Sequence, residues 1–388
     1  MATTEHSSLD ALLAAKEMVL VCGSGGVGKT TTAAALAVEA VTESGGRVLV
    51  LTVDPARRLA DALGVGRLGN EAVRVPDDAF ASTGVTPRGE LWAAMLDTKA
   101  GWDELIHRHA PDTEVREAVL ANPLYQNITS RFVHSHDYLA MEKLHELHSS
   151  GRFDLIVVDT PPSRNALDVL DAPSRMKEFF GSRLLRWLTV PYRSRLFTAA
   201  SKPFYQIADR VLGSRFLQDI AEFFVLFQAM ERGFVDHADE VEQLLSDPRT
   251  TFVVVSTLEA APSHEAAYLA RELARRDFHL GAIVANRVMP ASFTAKASAA
   301  SARKLEQAAG GPLADQVADR IGSERTVVAR VLTEIATRFH DIAVVATREA
   351  ERRAELATLA PVLAAAPMLD RDVNDLADLA ELAKHLTT

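Results

Sequence analysis

The stretch Met18-Val19-Leu20-Val21-Cys22-Gly23-Ser24-Gly25-Gly26-Val27-Gly28-Lys29-Thr30-Thr31 decides how the rest of the chain is read. Its first five residues are apolar without alternation, the pattern of a strand buried on both faces. The Ala-rich run over 29–43 then reads as a helix, stopped by Gly45-Gly46. Between them lies G-x-x-x-x-G-K-[ST], in the strand–loop–helix setting that a phosphate-binding loop needs. Gly23, Gly25, Gly26 and Gly28 let the backbone fold tightly, so that successive N–H groups around Ser24 and Val27 converge on phosphate oxygens. The positive end of the following helix adds to the attraction. Lys29 is placed to reach the β- and γ-phosphates, and the Thr30 hydroxyl to bind Mg2+. Cys22, the chain's one cysteine, reads as a small buried residue with no base nearby to activate it.

Outward from this loop, short apolar runs at 48–53, 155–158, 252–256, 282–285 and 362–366 alternate with long helical stretches. The expected fold is α/β: a doubly wound, mainly parallel sheet covered by helices on both faces, with an inserted helical subdomain. Ligands of such a sheet bind beyond the carboxyl ends of its strands, so two strand-end carboxylates, Asp54 and Asp159, converge on the loop. Asp159, after Leu-Ile-Val-Val, is positioned to hold Mg2+ directly or through water. Asp54 can orient a water towards the γ-phosphate and reach the ion through water; the plain alternative for either residue is a helix N-cap.

Residues 17–95, 150–175 and 250–388 read as the core that carries the phosphate-binding loop, and 1–16 as a flexible N-terminus. Blocks 96–149 and 176–249 show helical periodicity without a convincing strand and read as one helical subdomain for a client or partner. Half of the aromatic residues, 12 of 24, fall between 170 and 235, among them Phe179, Phe180, Phe223, Phe227 and Phe234. The stretch 183–215 holds seven basic residues and one acidic. This segment is expected to form an apolar groove or membrane-facing surface rimmed by Arg183, Arg186, Arg193, Arg195 and Arg215; its rival is an ordinary helical core. Six of the twelve histidines, His107, His109, His134, His136, His145 and His148, lie in the first block and read as exposed helix residues, with a structural or regulatory metal site as the alternative.

Composition narrows the function. The chain of 388 residues is 48% hydrophobic and 24% charged, which excludes disordered and low-complexity classes. A net charge of −10 argues against nucleic acid as a partner, because counterion release needs a basic surface. A single cysteine excludes an internal disulfide and a four-cysteine metal site, and fits a cytoplasmic protein. The first residues do not read as a secretory signal, and no apolar run of about 20 residues is present to span a membrane. The sequon Asn127-Ile128-Thr129 then reads as chance.

Three motifs together resemble the ArsA-like ATPases, the family of arsenite-pump ATPases and of the guided-entry ATPases that deliver tail-anchored proteins. They are Gly-Gly-Val-Gly-Lys-Thr-Thr-Thr at 25–32, Thr52-Val53-Asp54-Pro55-Ala56, and Asp159-Thr160-Pro161-Pro162-Ser163. The resemblance implies binding of ATP and ADP with Mg2+ by residues 23–31, hydrolysis with Asp54 polarising the attacking water, and a dimer that handles a hydrophobic or membrane-associated client. It also implies that Asn286 contacts adenine and that Pro367-Met368-Leu369 forms the adenine loop. This chain departs from the family where a second lysine usually precedes Gly-Gly and reaches the partner's nucleotide: here Ser24 stands there. Arg57, Arg58 or Arg164 is able to replace that charge as an arginine finger does, the plainer reading being solvated surface arginines. The guided-entry proteins' zinc-binding Cys-x-x-Cys is absent, so no zinc is expected and a zinc-linked homodimer is not available. Two functions stay open: an active ATPase working as a targeting or chaperone motor, which Lys29, Asp54 and Asp159 together favour, and a nucleotide-binding regulatory subunit paired with a lysine-bearing paralogue, which Ser24 favours; the dimer is a homodimer or, by preference, that heterodimer.

Overall fold

In the computed structural model, which describes residues 8–53, 58–66, 68–128, 135–160, 168–182 and 214–387, the run Met18–Cys22 is strand β1 and is buried along its whole length. The other strands are β2 (Gly46–Thr52), β3 (Val73–Arg74), β4 (Gly89–Met95), β5 (Leu155–Asp159), β6 (Thr250–Thr257), β7 (Leu280–Val288) and β8 (Val362–Pro367). They form one sheet in the order β3-β4-β2-β5-β1-β6-β7-β8, parallel throughout except where β3 runs antiparallel to β4. The chain leaves β1 towards β2 on one side and later fills β6 on the other, so the loop after β1 sits at a switch point of the sheet. The six strands expected from apolar runs are all present, as is the doubly wound α/β class. Strands β3 and β4 were not expected. β4 begins Gly-Glu and leaves Glu90 and Trp92 half-buried, so it lacks the unbroken apolar signature of the central strands.

Fifteen described helices accompany the sheet: α1 (Leu9–Ala15), α2 (Lys29–Glu43), α3 (Arg58–Ala62), α4 (Thr98–His109), α5 (Thr113–Ala121), α6 (Pro123–Ile128), α7 (Ser135–Ser149), α8 (Asp168–Gly181), α9 (Ser214–Ala229), α10 (Glu231–Ser246), α11 (Ala260–Arg275), α12 (Lys296–Ala308), α13 (Pro312–Ile321), α14 (Arg325–Leu356) and α15 (Leu376–Thr387). One face of the sheet is covered by α1, α2, α3 and α15, through residues such as Leu36, Leu59 and Leu379. The other is covered by α7, α10 and α11, through Met141, Leu144, Val241 and Leu273. Among the described residues, no helix is long and apolar enough to cross a membrane.

Two expectations are corrected. Residues 9–15 are not a flexible tail. They form a helix capped by Ser8, whose hydroxyl accepts from the Ala11 amide at 3.3 Å, and Leu9, Leu12 and Leu13 are at most 3% exposed. Their i, i+3, i+4 spacing is an apolar helix stripe. The described aromatic residues do not line an open groove. Phe180, Phe223, Phe227 and Phe234 are buried beside Trp102 and Tyr138 in a core shared by α4 to α10, where the Phe180 and Phe227 rings stack at 5.3 Å. Residues 183–213, with four of the five rim arginines, lie outside the described residues, as does the Arg215 side chain. Within 250–388, residues 296–356 form a helical excursion between β7 and β8. Its small core holds Ala314, Ala318 and Val328, while Val331 and Ile335 on α14 stay about half exposed. The far end of α14 is anchored by Arg352, which donates to the Leu258 carbonyl at 2.8 Å, and by Glu349, which accepts from the Met289 amide at 3.3 Å.

Removing a fully buried leucine costs the transfer of its methyls plus a cavity, so Leu12→Ala should lower unfolding stability by about 2–5 kcal/mol. Urea denaturation measures it. A change below about 0.5 kcal/mol, the range of surface substitutions, is the result expected of a mobile tail.

Candidate functional site

The loop between β1 and α2 is held open from behind. Gly23 has φ +149° and Gly28 has φ +97°; a side chain on the first would strike the Val255 carbonyl of β6, and on the second the Asn286 amide of β7. The loop thus lies against two neighbouring strand ends at the positions where only glycine fits. Around Gly25 and Gly26 there is open space instead, with nothing within 4 Å of where a Cβ would be. Helix α2 begins at this concavity. Its N-cap is Gly28, no side chain caps it and no acidic residue occupies its first turn. The first amides of α2, those of Lys29, Thr30 and Thr31, accordingly face the concavity with the positive end of the helix dipole behind them. A phosphate chain supplies the acceptors that such a helix end lacks.

Lys29 is 7% exposed, and its ammonium donates to the Ser24 carbonyl at 3.0 Å. Asp159, 1% exposed, ends β5 between β1 and β2. Its Oδ2 accepts from the Thr30 hydroxyl at 2.7 Å and from the Thr52 hydroxyl at 2.8 Å. A hydroxyl and a carboxylate this close at the mouth of an anion-binding loop form a hard oxygen donor set, which suits Mg2+. Thr30 and Asp159 therefore fit the ion that an ATP site needs, and the open cradle over Gly25 and Gly26 fits phosphates. Cys22 lies directly behind: burial pushes its thiol up to about 12, so it is neither a nucleophile nor a thiolate ligand at neutral pH.

Asn286 is brought to the loop, but its amide is already used. Its Nδ2 donates to the Val27 carbonyl at 2.8 Å, and its Oδ1 accepts from the Arg287 amide at 2.9 Å. Arg287 adopts φ +58°, where residues with side chains are uncommon, and the β7–β8 register breaks between Ala285 and Val288. Beyond the break, Met368 donates its amide to the Val288 carbonyl at 3.1 Å, which sets the expected adenine loop beside the end of β7. Pro367 closes β8, and Met368 is 53% exposed on a shallow recess of about 350 Å³ that also includes Leu369, Val373 and Asp378.

Asp54, Pro55, Ala56, Arg57 and Arg164 lie outside the described residues, as does the side chain of Arg58. Sequence reasoning missed two hydroxyls. Thr52 donates to Asp159, and Thr160 donates to the Val21 carbonyl at 2.9 Å, pinning the segment after β5 to β1. A threonine at a strand end beside an acidic strand end was the available signal. The histidine reading also needs correction: His109 has a side chain only 3% exposed, and His145 and His148 are half-buried.

The sequence profile of the Anion-transporting ATPase family matches residues 16–316. The chain is 27% identical over 269 residues to ATPase GET3 of Malassezia globosa, covering 69% of this chain and 71% of that protein. It is 25% identical over 292 residues to ATPase get3 of Schizosaccharomyces japonicus, covering 74% and 80%. It is likewise similar to the ATPase ASNA1 homolog of Cryptosporidium parvum, at 27% over 286 residues, covering 73% and 68%.

If Asn286 braces the loop, Asn286→Ala strands the buried Val27 carbonyl and should destabilise the nucleotide-free chain by about 1–3 kcal/mol. Denaturation without nucleotide reads this. An unchanged midpoint would confine Asn286 to contact with a bound base.

Proposed function

The chain belongs to the Anion-transporting ATPase family, a family of ATPases, and on that premise we propose that it binds and hydrolyses MgATP as a dimer and couples nucleotide state to a hydrophobic or membrane-associated client. The observation that carries the reading is the meeting of Thr30 and Thr52 hydroxyls on one oxygen of the buried Asp159 carboxylate, beneath a glycine loop with open space in front of it. The similarity to proteins named ATPase GET3 supports the client part, through the resemblance to guided-entry ATPases.

In this reading the amides of residues 23–31 hold the phosphates, and Lys29 leaves the Ser24 carbonyl to bridge the β- and γ-phosphates. Thr30 and Asp159 hold Mg2+, which supplies charge neutralisation between the phosphates when bound. Asp54 orients the attacking water and reaches the ion through water. Asn286, Pro367 and Met368 line the adenine side. Residues 96–149 and 176–249 form the client or partner subdomain of a core made by 17–95, 150–175 and 250–388, and the protein works in the cytoplasm or at the membrane surface.

Ser24 favours a second reading, in which this chain is the regulatory half of a heterodimer whose related partner supplies a lysine in trans. Ser24 Oγ is buried and has no hydrogen-bond partner among the described residues, so the side chain adds neither charge nor a described hydrogen bond to the loop. A cation supplied in trans is worth roughly 10³ to 10⁵ in phosphoryl-transfer rate. Two Ser24 chains together would bind ATP and turn it over slowly.

Calorimetry and turnover test both readings. Lys29→Ala should weaken ATP binding or turnover at least tenfold, about 1.4 kcal/mol, whereas Asp54→Asn should spare binding and abolish turnover. Absence of ATP and ADP binding by the folded wild-type chain overturns the proposal. Ser24→Lys should raise the turnover of the single chain; rapid wild-type hydrolysis that the added lysine leaves unchanged would remove the heterodimer reading and direct attention to Arg57, Arg58 or Arg164.

A further inference from the structure

On the helical side of the molecule, three helices bring imidazoles and carboxylates to one point. α4 ends at His109, α7 contributes Glu142 and His145 one turn apart, and α10 contributes His237 and Glu240 one turn apart. His237 Nδ1 lies 3.1 Å from Glu142 Oε2, and His109 Nε2 lies 4.0 Å from the same oxygen. We propose that His109, Glu142 and His237 bind one divalent transition-metal ion of the zinc class, which clamps α4, α7 and α10 together.

The spacing is that of a site one small adjustment from closed. In tetrahedral coordination with metal–ligand bonds near 2.0–2.1 Å, ligand atoms sit roughly 3.3 Å apart. The His237–Glu142 distance already matches, and the ligand atoms of all three residues lie within 4.8 Å of one another. His109 Nε2 is buried and has no hydrogen-bond partner among the described residues. A buried ring nitrogen left unpaired is costly, and an ion on its lone pair removes that cost.

The surroundings are arranged around that nitrogen. Gly233 lies one turn before His237, and a side chain there would meet His109 Nδ1 at 2.7 Å. Glycine inside a helix costs about 1 kcal/mol relative to alanine; here it lets the His109 ring lie close on α10, against Phe234 at 4.6 Å. Tyr138 donates its hydroxyl to Glu142 Oε1, which orients the carboxylate in the way that outer hydrogen bonds orient metal ligands. On the more exposed side, Glu240 Oε2 lies 3.7 Å from both His145 Nε2 and His237 Nε2. Two imidazoles and a carboxylate suit zinc better than they suit the Mg2+ of the phosphate loop. The competing cation is Arg108, 3.7 Å from Glu142 Oε2, but its Nη2 is bound to Glu146 at 2.5 Å and has that carboxylate to keep. To bind the ion through Nδ1, His237 carries its ring proton on Nε2, 3.7 Å from Glu240 Oε2, and any second ring proton leaves to solvent.

The test uses the full chain, stripped with EDTA and free of nucleotide. Zn2+ titration should give one ion per chain and raise the melting temperature, and Co2+ should give the visible absorption of a low-symmetry nitrogen–oxygen site. His237→Ala and Glu142→Gln should each weaken Zn2+ binding at least tenfold and abolish the Zn2+-induced rise in melting temperature. Gly233→Ala, which moves His109 without deleting a ligand, should weaken it as well. Thr30→Ala alters only the phosphate loop and should leave the Co2+ spectrum unchanged. No stoichiometric Zn2+ binding by the wild type, or equal binding by His237→Ala, overturns the proposal; a Co2+ spectrum lost in Thr30→Ala assigns the ion to the phosphate loop and overturns it too.

Discussion

One carboxylate oxygen organises the phosphate end of this protein. Asp159 Oδ2 receives a hydroxyl from the first turn of α2 and another from the last residue of β2, so it joins the ends of two elements to β5. Being 1% exposed, the group has little water to turn to, and its Oδ2 relies on these protein donors. A buried carboxylate in that state is stabilised only while its donors stay in place. Strand pairing fixes the donors: Thr52 and Asp159 are register partners, as are Val21 and Asp159. The geometry of the site is thus a consequence of sheet register, and a slip of one residue in β2 or β5 would turn the acid or the hydroxyl to the other face.

The helical side is built on different terms. Its core is aromatic, with Phe227 against Trp102, Phe180, Phe223 and Phe234, and large rings fill space without demanding polar partners. Next to that core sit Glu142, His109 and Tyr138, polar groups that the apolar rings cannot satisfy. Burial works against the charge on Glu142, yet hydrogen bonds from His237 and Tyr138 hold its carboxyl below its ordinary range. The same carboxylate holds His237 above its own. Charge in this layer is therefore concentrated at the junction of α4, α7 and α10, while the ring stack beside it is uncharged.

What the sequence disclosed follows the range of the interactions involved. The loop from Gly23 to Thr30 and the central strands were legible because their requirements are local: glycines at fixed offsets, and apolar runs that reflect burial on both faces. Asp159 was legible because a strand end has a known direction. β4 was not, since Glu90 and Trp92 interrupt its pattern near the sheet edge. α1 was overlooked because its stripe is seven residues long and it lies before the first strand. Asn286 was expected to face a base, and its bond to Val27 spans 259 positions, which no spacing rule describes. His237 lies 128 residues from His109, outside the block where the other histidines cluster, and the gap is closed only by helix packing. The Phe-rich segment shows the converse: its composition was plain, but composition does not say whether rings face inward.

Helix α14 has a mechanical consequence. At 32 residues and 1.5 Å per residue it is a rod about 48 Å long. Its anchors, Arg352 and Glu349, grip the backbone just past the ends of β6 and β7, the strands against which Gly23 and Gly28 are pressed. Along the rest of the rod pack α12, α13 and, at Phe339, the ring of Phe293, and the core it shares with α13 is small. A rotation of about 5° at the anchored end displaces the far end by roughly 4 Å, from the rod length alone. The excursion between β7 and β8 is thus a long lever held where it meets the ends of β6 and β7, and any change of angle at that end is multiplied at its tip.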